Sequence, residues 1–176
     1  MKTIKMISLL FIAFFTLAIT ATDLIDEKGS CSVPDSKLEQ LPDFKMELLD
    51  SGKTFDSNEL NGNYVLVDVW APSCGVCVDH VPKLQKLNKK YSDANFEIIS
   101  IALSSKEKVQ KFRQEKYPMP WKHGLAERSR DGKIVQALEV KSTPTYYLVS
   151  PEGDVLADNE DFKEEGSFTG IIDQYL

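Results

Sequence analysis

The chain has 176 residues, 42% of them hydrophobic and 27% charged, with a formal net charge of −6 and three cysteines. That length suits one domain, and the composition is ordinary for a globular protein with a real core. An acidic balance with no basic block beyond the extreme N-terminus argues against nucleic acid as a partner, since phosphate binding needs clustered Lys and Arg.

Lys2 and Lys5 precede a nearly unbroken apolar run, Met6 to Ile19, followed by the small residues Thr20, Ala21 and Thr22. A basic start, a short apolar stretch and a small-residue exit predict a secretory signal peptide over 1–21, cleaved near Ala21. The run falls short of the ~20 apolar residues that span a bilayer; an uncleaved signal anchoring the chain to a membrane is the alternative. Export to the periplasm or beyond places the cysteines in an oxidising compartment, where thiols pair unless kept reduced. Cys74 and Cys77 can pair with each other, which leaves Cys31. It falls in residues 22–40, a polar segment with Pro34 that is expected to be a flexible tail. A lipid anchor at Cys31 is disfavoured, because Lys28 stands where such a signal wants an aliphatic residue.

From residue 41 the chain reads as one folded domain, 41–176. "FKMELLDSGKTFD" predicts two short strands, near Phe44–Leu48 and Lys53–Phe55, around the turn Asp50-Ser51-Gly52. "YVLVDVW", Tyr64 to Trp70, is a buried central strand interrupted only by Asp68. Val78, Val81, Leu84, Leu87 and Tyr91 recur at helical spacing, so a helix opens at Cys74 and runs to about Tyr91. "FEIISIAL", Phe96 to Leu103, is a second core strand. Ser104 and Glu107 form a capping-box pattern for the next helix, which ends before Pro118. Trp121 to Leu125 suggests a short strand, and "DGKIVQALEV" a turn and a short helix. "TPTYYLVSPEGDVLAD" is a hairpin turning at Pro151-Glu152-Gly153. Ser167 caps a last helix with Phe168, Ile171, Ile172 and Tyr175 on its apolar face. Strand–helix alternation followed by a hairpin implies an α/β fold, a mixed sheet with helices on both faces.

Cys74 and Cys77 enclose Gly75-Val76 at the strand-to-helix junction. The free N–H groups and the positive end of the helix dipole favour an anion, so Cys74 is expected to be rich in thiolate, with Cys77 one turn inward and shielded. An exposed sulfur that attacks and an inner one that resolves make a redox pair. Other readings make other demands. A zinc site usually needs four ligands, and the remaining candidates are Cys31, His80 and His123. Haem attachment wants His after the second Cys, where Val78 stands. A structural bridge needs no helix tip.

"VDVWAPSCGVCVDHVP", with "STPTYYLVSPEGDV" downstream, resembles the thioredoxin superfamily, and in particular its exported TlpA/ResA-like branch. Pro82, five residues past Cys77, matches the helix proline of that family, and Pro144, preceded by Thr143, matches its cis-proline. The resemblance implies a thioredoxin-like domain with an N-terminal β-hairpin extension and a central helical insertion over Lys106–Leu138. It also implies thiol:disulfide oxidoreductase activity through Cys74 and Cys77, and no metal or cofactor. Asp68, a buried carboxylate in the strand leading to the pair, then becomes the relay that deprotonates Cys77; the alternative is a hydrated, inert carboxylate at the strand end. Thr143 offers its backbone to an extended substrate as a short added strand, and Pro144 shapes that edge. Trp70, grouped with Thr143 and Pro144 on the substrate side, packs beneath the site. His80 and Asp79 are expected on a solvated helix face and His123 in a loop. The implied partners are protein disulfide substrates, apocytochromes c among them by family analogy, and a membrane-borne electron donor. Two other readings stay open: a peroxiredoxin-like peroxidase, although Ala71-Pro72-Ser73 lacks the threonine such enzymes place before the reactive cysteine, and a binding module with a static bridge.

Overall fold

The computed structural model describes residues 37–126, 132–164 and 168–176. The expected leader, Cys31, Ser167 and all but the last four residues of the expected tail lie outside the described residues. Seven strands form one mixed sheet: β1 (Lys45–Leu48), β2 (Thr54–Asp56), β3 (Tyr64–Trp70), β4 (Phe96–Ala102), β5 (Lys122–Leu125), β6 (Thr145–Val149) and β7 (Val155–Ala157). Their order across the sheet is β2-β1-β5-β4-β3-β6-β7. β4 runs parallel to both β3 and β5, whereas β6 and β7 are antiparallel, as the hairpin at Pro151-Glu152-Gly153 requires.

The strand composition explains this layout. β3 is paired on both edges and covered on both faces, which is why its apolar residues do not alternate with polar ones. Val65, Val67 and Val69 face one side, where Phe44, Phe55, Leu60, Ile134 and Leu138 cover them. Leu66 and Trp70 face the other, against α1 (Gly75–Lys90), α2 (Lys106–Glu115), α4 (Asn159–Glu164) and α5 (Phe168–Ile172). The first face therefore takes one short helix, α3 (Lys133–Ala137), and the N-terminal extension, and the second takes four. α1 presents Cys77, Val81, Leu84 and Leu87 as its buried stripe. Each such leucine adds roughly 2 kcal/mol by leaving water.

The N-terminal hairpin extends the sheet by pairing β1 with β5, Leu48 opposite Gly124. A Cβ at Gly124 would overlap the Met46 thioether, so the glycine is what lets β1 lie this close. Asp56 ends the hairpin in a capping box with Glu59.

Several expectations are corrected. Ser105 rather than Ser104 stands at the N-cap of α2, and it makes no side-chain cap bond. Helix α4 was not foreseen. Residues 37–40 run beside the β6–β7 turn: Leu41 N–H donates to Gly153 O at 2.9 Å and Val155 N–H to Glu39 O at 2.9 Å. Tyr175, expected on the apolar face of α5, is exposed and sends its hydroxyl to Leu156 O. His123, expected in a loop, is a β5 residue buried to 1% exposure.

Candidate active site

β3 delivers the chain to the site. After Trp70 the loop Ala71-Pro72-Ser73 turns into α1, and Cys74 is the N-cap, with extended backbone at φ −91° and ψ 107°. Its position leaves the first N–H groups of the helix free, and its own sulfur takes one of them. Cys77 N–H donates to Cys74 Sγ at 3.2 Å. The two cysteines are joined, with S–S 2.14 Å and Cα–Cα 5.2 Å. Cys74 is half-buried and Cys77 is 3% exposed, so one sulfur faces the surface and the other faces the core. Val76 between them is 55% exposed.

A second segment closes over the pair. The Thr143–Pro144 peptide is cis, and Thr143 O lies 3.5 Å from Cys74 Sγ. Thr145 Oγ1 donates to Ser142 O at 2.7 Å and Tyr147 Oη to Leu138 O at 2.7 Å, which ties this loop to the start of β6. Sequence reasoning brought Cys74, Cys77, Thr143 and Pro144 together, and they are together in space. Trp70 packs beneath the site as expected, and its grouping with the substrate-side residues is corrected. It is 1% exposed with its ring against Phe112, so it supports the loop from below and offers no surface to a substrate.

Asp68 lies in β3 on the Leu66–Trp70 face, the face that packs on α1. It is 2% exposed and not at the strand end in water. Ser100 Oγ–H donates to Asp68 Oδ2 at 2.7 Å, while Oδ1 has no partner. Burial dominates: it pushes the Asp68 carboxyl up to about 7, against the opposing pull of the Ser100 bond. Tyr146, Asp68, Ser100 and His123 sit opposite one another across four neighbouring strands, β6, β3, β4 and β5. They form a polar row through an apolar sheet. Burial raises the Tyr146 hydroxyl and pulls the His123 imidazole down to about 3, with the Arg113 charge adding to the latter. Both are neutral at physiological pH.

Sequence reasoning missed the other members of this constellation. His80, expected on a solvated face, is half-buried, with Nδ1 3.0 Å from Tyr146 Oη and its ring edge-on to Phe168. Beside the pair opens a groove of about 410 Å³ lined by Val76, His80, Pro144, Tyr146, Phe162 and Phe168, with Lys83 and Lys163 on its lining as well. A second recess of about 380 Å³ is lined by Cys74, Leu103, Val140 and Thr143. Ser100 carried a signal that could have been read: it is the one polar residue in the buried stretch of β4, at the same place in its strand as Asp68 in β3. The groove carried none, because α4 supplies Phe162.

Among the described residues no group of three or more His, Cys, Asp or Glu side chains is arranged to hold a metal ion. No helix there is long and apolar enough to cross a membrane.

Known proteins are similar to this chain in sequence and in fold. The chain is similar to the thiol-disulfide oxidoreductase ResA of Oceanobacillus iheyensis, 25% identical over 121 residues that cover 65% of this chain and 59% of that protein. It is also similar to ResA of Bacillus subtilis, 27% identical over 116 residues, 65% of this chain and 62% of the relative. The match thus spans about three-fifths of the length of these relatives. Among solved structures, a thiol-disulfide oxidoreductase from Bacteroides fragilis superposes with a TM-score of 0.69 at 23% identity, over 78% of this chain and all of that one. A thiol:disulfide interchange protein of the thioredoxin family from Chlorobium tepidum gives 0.65 at 19%, over 80% and 97%. These likenesses establish the thioredoxin-like fold. The AhpC/TSA family model matches residues 38–157, from the strand-edge segment through β3, the cysteine pair and the cis-proline to the end of β7. With most of its length and its whole cysteine site inside that match, the chain belongs to the AhpC/TSA family.

Proposed function

We propose that this protein is an exported thiol:disulfide oxidoreductase that reduces disulfides in polypeptides. The observation that carries the reading is the asymmetry of the pair. Cys74 is at the helix tip, reachable and hydrogen-bonded by a backbone N–H, while Cys77 is 3% exposed behind it. The similarity to proteins named thiol-disulfide oxidoreductase supports it.

In the reduced enzyme the Cys74 thiolate attacks one sulfur of a substrate disulfide. That S–S bond breaks, its electron pair leaves on the departing substrate sulfur, and a mixed disulfide forms. Asp68 takes the proton of Cys77, and the Cys77 sulfur attacks Cys74 Sγ. The second substrate sulfur departs with the bonding pair, and the Cys74–Cys77 disulfide remains. Two electrons have passed to the substrate, and a thiol donor must restore them. The Thr143 edge beside Cys74 would pair with extended substrate backbone, and the aromatic-floored groove next to Val76 would take a neighbouring apolar side chain. Export, a membrane-borne electron donor and substrates such as apocytochromes c belong to this proposal on the strength of the N-terminal sequence and the family resemblance.

The test is a Cys77→Ser trap in the native host. Without the resolving thiol, Cys74 stays covalently linked to its substrates, which mass spectrometry identifies. An empty trap overturns the reading. Thiol titration against glutathione distinguishes a redox-active pair from a static bridge that stays oxidised. Consumption of hydrogen peroxide faster than disulfide reduction would install the peroxidase reading instead.

A further inference from the structure

The polar row beneath the cysteines has a direction built into it. Trp121 Nε1–H can only donate, and it points at Ser100 Oγ across 2.8 Å. Ser100 has one hydroxyl proton; with a lone pair engaged by Trp121, that proton goes to Asp68 Oδ2 at 2.7 Å. Donation therefore runs Trp121 to Ser100 to Asp68. Of the two carboxylate oxygens, Oδ2 is committed and Oδ1, buried and without a partner, is free to accept. Ser100 itself is fully buried between Ile99 and Ile101 in β4, where an alanine would pack as well. Its hydroxyl answers to the carboxylate.

We propose that Ser100, oriented by Trp121, is a positioning residue for disulfide exchange: it holds the Asp68 carboxylate so that Oδ1 is the atom that takes the Cys77 proton. The inference rests on the role given to Asp68 in the proposed function. In the resolving step the Cys77 S–H bond breaks and the proton moves to Oδ1. The electron pair left on Cys77 Sγ forms the bond to Cys74 Sγ, and the Cys74–substrate S–S bond breaks with its pair going to the substrate sulfur. The substrate disulfide is the oxidant.

The groups around the carboxylate leave this task to the hydroxyl. Ser100 reaches it from β4, Tyr146 stands opposite on β6, and Cys77, from α1, shares the core cluster of Tyr146 on this face of the sheet. His123 lies beyond Ser100 and His80 beyond Tyr146, and burial lowers both imidazoles, so neither supplies a positive charge at neutral pH. Among the described residues no Lys or Arg stands in this row. One donated hydrogen bond is then what favours the ionised carboxylate over its protonated form.

The oxidised protein provides a clean test, because its cysteines do not titrate. Carboxyl carbon NMR on aspartate-labelled protein follows Asp68 in the wild type, Ser100→Ala, Ser100→Thr and Trp121→Phe. Losing a hydrogen bond to a charged group should move the Asp68 midpoint up by about one unit in Ser100→Ala. Trp121→Phe should move it less, in the same direction, and carries the test alone should Ser100→Ala fail to fold. Ser100→Thr restores the hydroxyl and should return the wild-type midpoint. The pH profile of mixed-disulfide release in single turnovers should shift in parallel. Unchanged midpoints in folded Ser100→Ala and Trp121→Phe, or shifts of opposite sign, overturn the proposal. Asp68→Asn separates the two layers. If it leaves release and its pH profile untouched, the role of Asp68 falls. If it abolishes the pH step while Ser100→Ala leaves the midpoint in place, the positioning role alone falls.

Discussion

Cys77 N–H points at Cys74 Sγ across 3.2 Å, so the backbone of the buried cysteine is a donor to the sulfur of the outer one. In the dithiol state that donor and the start of α1 both favour the ionised sulfur. Thiolate enrichment is partly offset by the weaker nucleophilicity of a more acidic thiol. The net expectation is that iodoacetamide at about pH 6 labels Cys74 roughly five- to tenfold faster than an unstructured cysteine peptide, with Cys77 hardly labelled. Equal rates for Cys74 and the peptide would remove the nucleophile from the mechanism.

Asp68 makes the oxidised protein less stable as pH rises. Burial raises its folded carboxyl from 3.8 to about 7, so between those values the folded state holds a proton that the unfolded state has released. Stability is therefore fully present below about pH 4, lost through pH 7, and level above it, with a ceiling of ~4 kcal/mol for this group. Asp68→Asn should flatten that decline. Urea unfolding at pH 5 and pH 8 checks it: the wild type should lose ~2 kcal/mol or more relative to the variant over that interval. Parallel pH dependence in the two proteins contradicts the buried, proton-holding carboxyl. If Asp68 is the proton acceptor proposed above, the same substitution should slow turnover, an exchange of activity for stability common at reaction centres.

His123 acts with the opposite sign. Its folded imidazole is held down to about 3 against an ordinary 6.5, first by burial and then by the Arg113 charge. Between those values the unfolded state binds a proton that the folded state refuses, so the contribution of His123 is present above pH 6.5 and lost as pH falls towards 3. His123→Phe keeps the packing on Trp121, whose ring stacks on the histidine at 5.8 Å. It should lower the acid midpoint of unfolding, read by circular dichroism. An acid limb identical to the wild type would mean that the imidazole reaches water.

How far the sequence foretold this site depends on how local each signal is. β3, β4 and the helix behind Cys74 rest on apolar periodicity within one element, and their bounds follow Tyr64–Trp70, Phe96–Ala102 and Gly75–Lys90 closely. The cysteine pair and Thr143-Pro144 are local motifs whose meeting required only the family resemblance. Ser100 was half legible: Asp68 and Ser100 interrupt their strands at the same place, and the in-register parallel pairing, Tyr64 opposite Phe96, makes them neighbours. His80 and His123 were misplaced because nothing near them in the chain reports burial. Tyr146 and Phe168 enclose the one, and Trp70 and Trp121 the other. Helix α4 escaped because "NEDFKE" carries one apolar residue, Phe162, whose ring packs on Tyr146 and Phe168. The capping-box spacing to Glu107 pointed to Ser104, but either serine suits an N-cap, and Ser105 takes the position.

Gly124 sets the docking of the N-terminal hairpin. A methyl there meets the Met46 side chain from its γ-carbon to its tip, so rotating the end of the methionine does not clear it. Gly124→Ala should cost about 1–3 kcal/mol, the usual range for overpacking. Combining it with Met46→Ala should recover part of that loss, giving a coupling energy of about 1 kcal/mol in a double-mutant cycle. Strict additivity would place the overlap elsewhere. Since β1 pairs with β5 rather than with β3, turnover per folded molecule should be unchanged.

Val76 tests whether polypeptides dock beside Cys74. It is 55% exposed between the cysteines and opens the groove floored by Tyr146, Phe162 and Phe168. Nothing in the fold requires an apolar side chain there, so Val76→Ser should unfold at the wild-type denaturant concentration. Covering a valine on binding is worth about 1–1.5 kcal/mol, which converts to roughly five- to tenfold in kcat/KM. That loss should appear with a protein disulfide substrate, mainly through KM, because the contact forms on docking and not in the exchange step. Reduction of a small disulfide such as oxidised glutathione, which lacks a neighbouring apolar side chain, should be unchanged. A substitution that slowed both substrates alike would place Val76 in tuning the cysteines, and one that slowed neither would leave the groove outside the substrate path.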